Sequence, residues 1–152
     1  KWLRSTLAQD RDTPTIIGMH HPPVEIGIAW MNTHAEEQWV SNFTQAIQDA
    51  PNIKGIMCGH VHRSIAVPWQ GTAVTICSST AAQVALDLNP IDPEKPDNRA
   101  MIIADHPAYA LHFWNGRELV SHFDSAGDQA ILAKYDSHLQ PFIKKLIGER
   151  PS

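Results

Sequence analysis

The chain has 152 residues, a hydrophobic fraction of 43% and a formal net charge of −4. This length suits one domain, and the charge balance, with no basic block, gives no indication of a nucleic-acid-binding surface. Both cysteines, Cys58 and Cys77, lie in apolar runs, which indicates buried thiols rather than a disulfide framework. No apolar run is long enough to span a bilayer and no signal peptide is visible, so we expect a cytoplasmic protein without membrane contact.

The first nine residues have the apolar spacing of a helix already under way, and the chain starts at Lys1 without an initiating methionine. We therefore expect a piece of a longer protein, forming one partial domain over residues 1–152. After a polar turn, the apolar run at 15–19 predicts a strand that ends in a His-His-Pro-Pro run at 20–23. Residues 24–32 show no clean period and predict a partly apolar loop lying over a site.

The clearest predicted helix covers residues 33–50. Thr33 and Glu36 have the spacing of a capping box, with Thr33 as the N-cap. Apolar residues then recur at helical spacing, which predicts a helix packed on one face of a sheet. The predicted packing face comprises Trp39, Val40, Phe43 and Ile47.

A second buried strand is predicted at 53–58, followed by Gly59, His60, Val61 and His62. In extended backbone, residues two apart point the same way, so both imidazoles are expected to face one place, and Gly59 permits a sharp turn there. Histidines near strand ends are often hydrogen-bonded loop residues. Two such strand ends in one chain, however, favour a shared metal site, because ligands gather outside the carboxyl ends of strands in open α/β sheets.

The rest of the chain predicts shorter strands and one more helix. The predicted elements are a hairpin of 64–67 with 72–77, a small-residue loop at 78–82, strands at 83–88, 99–105, 109–115 and 118–123, an exposed proline-rich loop at 89–98, and an amphipathic C-terminal helix over 128–148 interrupted near Pro141. No internal repeat or domain boundary is visible.

The runs at 20–23 and 59–63 together resemble the later two motifs of the calcineurin-like metallophosphoesterases. The stretch 53–88 is similar to the glycerophosphodiesterase branch, beside the class III cyclic-nucleotide phosphodiesterases. The resemblance implies an α/β (α+β type) fold, specifically the C-terminal half of a four-layer αββα sandwich with a mixed β-sheet and flanking helices. It also implies a metal-dependent phosphodiester hydrolase acting on a small-molecule phosphodiester, of cyclic-nucleotide or glycerophosphodiester type.

The resemblance implies two divalent metal ions, Fe, Mn, Zn or Co, in the complete enzyme. His20 and His60 then serve one ion and His62 the other. The motif leaves His21 as a candidate catalytic residue facing the substrate, as a neighbour of the ligands, or as a plain loop residue.

The family's earlier Asp-x-His, Gly-Asp and Gly-Asn-His motifs are absent from this sequence. We therefore expect the isolated chain to bind metal weakly and to hydrolyse little phosphodiester. We also expect it to pair with its missing N-terminal half or to self-associate, giving a homo-oligomer. The alternative is a binding or assembly piece that keeps the second half of the fold without activity.

Overall fold

A computed structural model describes residues 1–150 as a mixed α/β chain. The mixed sheet with helices packed beside it agrees with the predicted fold class. The elements in chain order are α1 (Trp2–Leu7), β1 (Thr15–Met19), a 3₁₀ turn (Ala29–Met31), α2 (Gln38–Ile47), β2 (Ile53–Cys58), β3 (Ile65–Trp69), β4 (Thr72–Ile76), β5 (Gln83–Val84), β6 (Ile102–Ile103), β7 (Ala108–Trp114), β8 (Leu119–Ser125) and α3 (Gln140–Gly148).

The main sheet has four strands in the order β1-β2-β4-β3, with β1, β2 and β4 parallel and β3 antiparallel to β4. The β3–β4 hairpin turns at Gln70 and Gly71, whose φ angles of 49° and 79° suit the two-residue turns that match strand twist. Pro68 and Trp69, predicted to lie in the turn, are in β3 instead. Proline is tolerated there because β3 is an edge strand of this sheet.

One face of the main sheet carries the core. Ile56, Val74 and Ile76 are fully buried and form one apolar cluster with Leu7 from α1 and Ile47 from α2. The two helices therefore cover this face. Burial of each such side chain is worth about 1.5–3 kcal/mol.

The opposite face of the sheet, called the open face below, is largely uncovered. Ile16 is 45% exposed, and Ala66 and Ala73 on the same side are exposed as well. Part of the face is covered where Gly55 lies under Leu119, since a Cβ at Gly55 would meet Leu119 Cδ2 at 2.8 Å. The outer edge of β1 has no strand partner among residues 1–150.

Helix α2 is shorter than predicted, because residues 34–37 form a separate turn before it, closed by a hydrogen bond from the Glu37 N–H to the His34 carbonyl at 3.1 Å. The Glu37 carboxylate accepts a hydrogen bond from the His34 backbone N–H at 2.8 Å and another from the Trp39 indole at 2.8 Å. Glu37 is the N-cap residue, but its side chain makes no capping hydrogen bond to the helix, and the predicted cap between Thr33 and Glu36 does not form. The chain is therefore non-helical before Gln38.

The predicted packing face of α2 is present within these shorter bounds. Val40 and Ile47 are each 5% exposed. Phe43 is half-buried and its ring stacks on Trp69 with centroids 5.7 Å apart and planes inclined by 6°. Helix α2 thus packs on the centre of the sheet through Ile47 and on the edge strand β3 through Phe43.

The second half of the chain forms two small antiparallel pairs. The three strands predicted between 99 and 123 correspond to β6, β7 and β8, of which β6 pairs with β5, and β7 pairs with β8. Residues 89–98, the proline-rich loop, are exposed and contain no helix or strand. The Arg99 guanidinium holds both ends of this loop by donating to the carbonyls of Asn89 and Pro90 and to the Asp97 carboxylate.

The predicted C-terminal helix over 128–148 is reduced to α3. Pro141 lies in its first turn, where the missing backbone N–H removes no helical hydrogen bond, so the helix starts near Pro141 instead of running through it. Leu132 and Phe142 are 95% and 58% exposed. No helix within residues 1–150 has both the length and the apolar character needed to cross a membrane.

Candidate metal centre

The register of two parallel strands brings the histidine motifs together. Met19 of β1 is aligned with Cys58 at the end of β2. The pairing continues for one more step, because the Gly59 N–H donates to the His20 carbonyl at 3.1 Å. The histidines that follow both strands therefore emerge side by side at the carboxyl edge of the sheet.

The loop after β2 turns at its histidines rather than at its glycine. His60 and His62 have φ angles of 67° and 54°, in the left-handed region that costs residues with a Cβ about 1–2 kcal/mol. Val61 between them is fully buried. The backbone is therefore not extended here, so the expectation that both imidazoles point the same way does not hold.

Three imidazoles form a compact group, the histidine cluster, made of His20, His21 and His60. One ring nitrogen from each lies within 4.8 Å of the others. The ring centroids are 4.8 Å apart for His20 and His21, 5.1 Å for His20 and His60, and 4.1 Å for His21 and His60. This is the one group of three or more potential metal-ligating side chains of this compactness within residues 1–150.

His62 lies outside this cluster. Its Nδ1 is 2.8 Å from the Ala82 carbonyl oxygen, which can only accept, so Nδ1–H is the donor. The loop that presents this carbonyl is closed by Gln83, whose buried side-chain amide bonds to both the N–H and the carbonyl of Ser79. The structure thus places His21, not His62, beside His20 and His60, while the metal roles of these residues stay predictions.

Burial and nearby charges favour a neutral imidazole at His60, and burial keeps the neighbouring Cys58 thiol protonated. Burial and the positive charges of the neighbouring histidines lower the pKa of His60. Burial raises the pKa of Cys58 to about 12, so the thiol next to Gly59 stays protonated at neutral pH. The nitrogen donors, rather than sulfur, are therefore the ligands available at this edge of the sheet.

A cavity of about 580 Å³ opens beside the cluster. Its walls include Trp30 from the loop predicted to lie over the site, together with Glu37 and Trp39 from the start of α2. Sequence reasoning assigned Trp39 to the helix core and did not consider Glu37. The available signal was that Glu37 stands three residues after His34, the spacing at which a carboxylate can accept a hydrogen bond from the earlier backbone N–H.

The donor set of the cluster fits a divalent transition metal. Neutral imidazole nitrogens suit Zn, Co, Ni, Cu and Fe, whereas Mg²⁺ and Ca²⁺ prefer oxygen ligands. No carboxylate of residues 1–150 joins the group. The residues present can therefore hold an ion, but they lack the bridging carboxylate that two adjacent ions would share.

Comparison with known proteins connects these motifs to phosphodiesterases, although no family model matches the chain. The chain is 29% identical over 127 residues to a probable glycerophosphodiester phosphodiesterase GpdQ of Arcobacter nitrofigilis, covering 83% of this chain and 44% of the relative. It is 28% identical over 138 residues to the GpdQ of Enterobacter lignolyticus, covering 91% and 47%. It is 38% identical over 81 residues to a 3′,5′-cyclic adenosine monophosphate phosphodiesterase CpdA of Vibrio vulnificus, covering 53% and 29%.

The chain spans less than half the length of these relatives. Each match covers more than half of this chain. Both the GpdQ and the CpdA relatives are named as phosphodiesterases. This similarity confirms the resemblance predicted from the two histidine motifs, since the GpdQ and CpdA relatives are calcineurin-like metallophosphoesterases.

Proposed function

We propose that this chain supplies the histidine-bearing half of a metal-dependent phosphodiester hydrolase acting on a glycerophosphodiester or a cyclic nucleotide. The carrying observation is the meeting of the motifs at 20–23 and 59–63 at the carboxyl edge of β1 and β2, beside a cavity. The two groups of named relatives support the two substrate types.

In the complete site, His20 and His60 would hold one divalent ion and His62 a second, from among Fe, Mn, Zn and Co. Such ions, when bound, neutralise the charge that develops on phosphoryl oxygens. His62 has its Nδ1–H engaged by Ala82, so its Nε2 carries the free lone pair that a metal ligand needs.

His21 is the proposed catalytic residue. It lines the cavity beside the other two imidazoles of the cluster, within reach of a group bound there. From this position an imidazole N–H can donate a hydrogen bond to a phosphoryl oxygen or pass a proton to the leaving alcohol. The walls formed by Trp30 and Trp39 would limit water around that group.

A second candidate function is supported by the open face and the unpaired edge of β1. Uncovered apolar sheet surfaces and strand edges attract partners. The chain would then act as an assembly piece, pairing with a chain that carries the missing half or with a second copy of itself. The two functions are compatible only if the partner brings the Asp-x-His, Gly-Asp and Gly-Asn-His motifs.

The test compares the chain alone with the chain mixed with a polypeptide carrying those three motifs. Hydrolysis of a model phosphodiester is measured with added divalent metal, and size is measured by light scattering. We expect little or no turnover for the chain alone and activity in the mixture, lost with His21→Ala and retained with His34→Ala, an exposed histidine outside the cluster. Turnover by the isolated monomer at about 1–10³ per second would contradict the proposal, and a complex without activity would favour the assembly function.

A further inference from the structure

Gln83 is a buried polar residue that directly follows Ala82, whose carbonyl oxygen contacts His62. From its contacts we propose that Gln83 is a positioning residue: its side-chain amide fixes the Ala82 carbonyl and thereby holds His62 in the tautomer that carries its proton on Nδ1. The effect of this residue on hydrolysis rests on the proposed function. The control of one imidazole by a buried amide can be tested without any reaction.

The side-chain amide of Gln83 is bonded at both ends within the loop that it closes. Gln83 is 3% exposed. Its Oε1 accepts a hydrogen bond from the Ser79 N–H at 3.0 Å, and its Nε2 donates to the carbonyls of Ser79 and Ala81. Because a buried amide cannot exchange these partners for water, the backbone of residues 79–82 is tied to the position of Gln83.

The ends of this loop are attached to strands that do not carry the histidines. The Ser79 carbonyl accepts a second hydrogen bond from the N–H of Ala108, the first residue of β7, at 3.0 Å. Gln83 is itself the first residue of β5, which pairs with β6. The Gln83 amide therefore connects the starts of β5 and β7, and the segment between Ser79 and Gln83 presents the Ala82 carbonyl.

Both carbonyls that flank Gln83 in sequence are bonded to the loop after β2. The Ala82 carbonyl oxygen is 2.8 Å from His62 Nδ1, and the Arg63 guanidinium donates to the Val84 carbonyl at 2.9 Å. A carbonyl oxygen can only accept, so a fixed Ala82 carbonyl selects the Nδ1–H tautomer and leaves the lone pair on Nε2. Loss of the Gln83 amide should release this carbonyl and allow the His62 ring to populate both tautomers.

The test is long-range hydrogen–nitrogen correlation NMR of the metal-free chain at about pH 8, where imidazoles are ordinarily neutral. The spectrum shows which ring nitrogen carries the proton, and His62→Ala identifies the His62 signals by their absence. We expect the Nδ1–H form in the unchanged chain and a mixture of both tautomers in Gln83→Met, which is similar in length but lacks the amide. Gln83→Glu is the second variant and should also give a mixture, because a carboxylate cannot donate to the Ser79 carbonyl.

Asn52→Ala is the matched control. Asn52 is 4% exposed, and its side-chain amide closes a different turn by donating to the carbonyls of Asp10 and Thr13. Removal of either amide should lower the urea midpoint, but only the Gln83 variants should change the His62 tautomer. The inference is overturned by an Nε2–H ring in the unchanged chain, by an Nδ1–H ring that persists in both Gln83 variants, or by an equal change of tautomer in Asn52→Ala.

The same variants, mixed with a polypeptide that carries the missing motifs, separate this inference from the proposed function. In an active mixture, Gln83→Met should lower the hydrolysis rate by about 10–100-fold, the usual cost of losing a residue that orients a functional imidazole, whereas Asn52→Ala should retain activity. Full activity with Gln83→Met would overturn the positioning role. An inactive mixture, with tautomers that still respond to Gln83 as expected, would refute the hydrolase alone.

Discussion

Because the backbone of His60 is left-handed, we predict that glycine at this position gives a more stable protein than alanine, the reverse of the usual order. We compare His60→Gly with His60→Ala, because both variants remove the imidazole and its cluster contacts. A residue with a Cβ costs about 1–2 kcal/mol in the left-handed region, and glycine does not. The φ angle of 67° at His60 places it there.

The expected difference follows from two opposing terms. Glycine avoids the left-handed penalty but loses more conformational freedom on folding, which costs about 0.5–1 kcal/mol relative to alanine. His60→Gly should therefore be more stable than His60→Ala by up to about 1.5 kcal/mol, with a central value of about 0.75 kcal/mol. Urea denaturation of the metal-free chain measures the difference as a shift of the midpoint at constant slope.

The control is Ala66→Gly, at an exposed position of β3 where the backbone has no positive φ. Glycine should be the less stable residue there by about 0.5–1 kcal/mol. The reasoning is refuted if His60→Gly is equal to or less stable than His60→Ala. That outcome would mean that the loop relaxes out of its left-handed conformation once the imidazole is removed.

Three further predictions concern the core and the proline-rich loop. Ile56→Ala, at a side chain with no exposure, should lower the free energy of unfolding by about 2–5 kcal/mol in urea, and a change near zero would show that this sheet face is not the core. Phe43→Ala should lower the free energy of unfolding by about 3 kcal/mol, the low end of the range for phenylalanine, because the ring is half-buried. A decrease no larger than that for an exposed side chain would show that the stacking on Trp69 is not maintained. The side-chain hydrogen bond from Arg99 lowers the pKa of Asp97 from 3.8 to about 2. The ionised Asp97 therefore stabilises the folded loop above pH 3.8, and this stabilisation is lost as the pH falls to about 2. Pepsin should cleave the loop faster as the pH falls through this range, whereas Arg99→Leu should be cleaved quickly throughout, and equal rates for the two chains would contradict this role.

Apolar patterning predicted the central part of the fold well. The strand at 15–19 and the strand at 53–58 match β1 and β2, because short apolar runs bounded by turn residues have few alternatives to a buried strand. The bounds of α2 and α3 were less predictable. They depend on whether residues 34–37 form a turn of their own and on where Pro141 is tolerated, which are choices between near-equal local structures.

The location of the candidate site was predictable, but its membership was not. Two histidine motifs at the ends of neighbouring parallel strands indicate one shared place, and the register of Met19 with Cys58 accounts for it. Which imidazoles meet depends on the φ angles of His60 and His62. The spacing of the two histidines assumes extended backbone, and a left-handed turn at each of them changes the direction of both rings.

The energetics of this turn connect the stability of the loop to the candidate site. Two left-handed residues cost about 2–4 kcal/mol together, while burial of Val61 returns about 1.5–3 kcal/mol. The hydrogen bond from His62 to Ala82 adds about 0.5–1.5 kcal/mol, so the terms nearly cancel. Because these terms nearly cancel, one further interaction of about 1 kcal/mol at the imidazoles would be enough to change the geometry of the loop. The directions of the His60 and His62 rings therefore depend on their contacts as well as on the loop sequence.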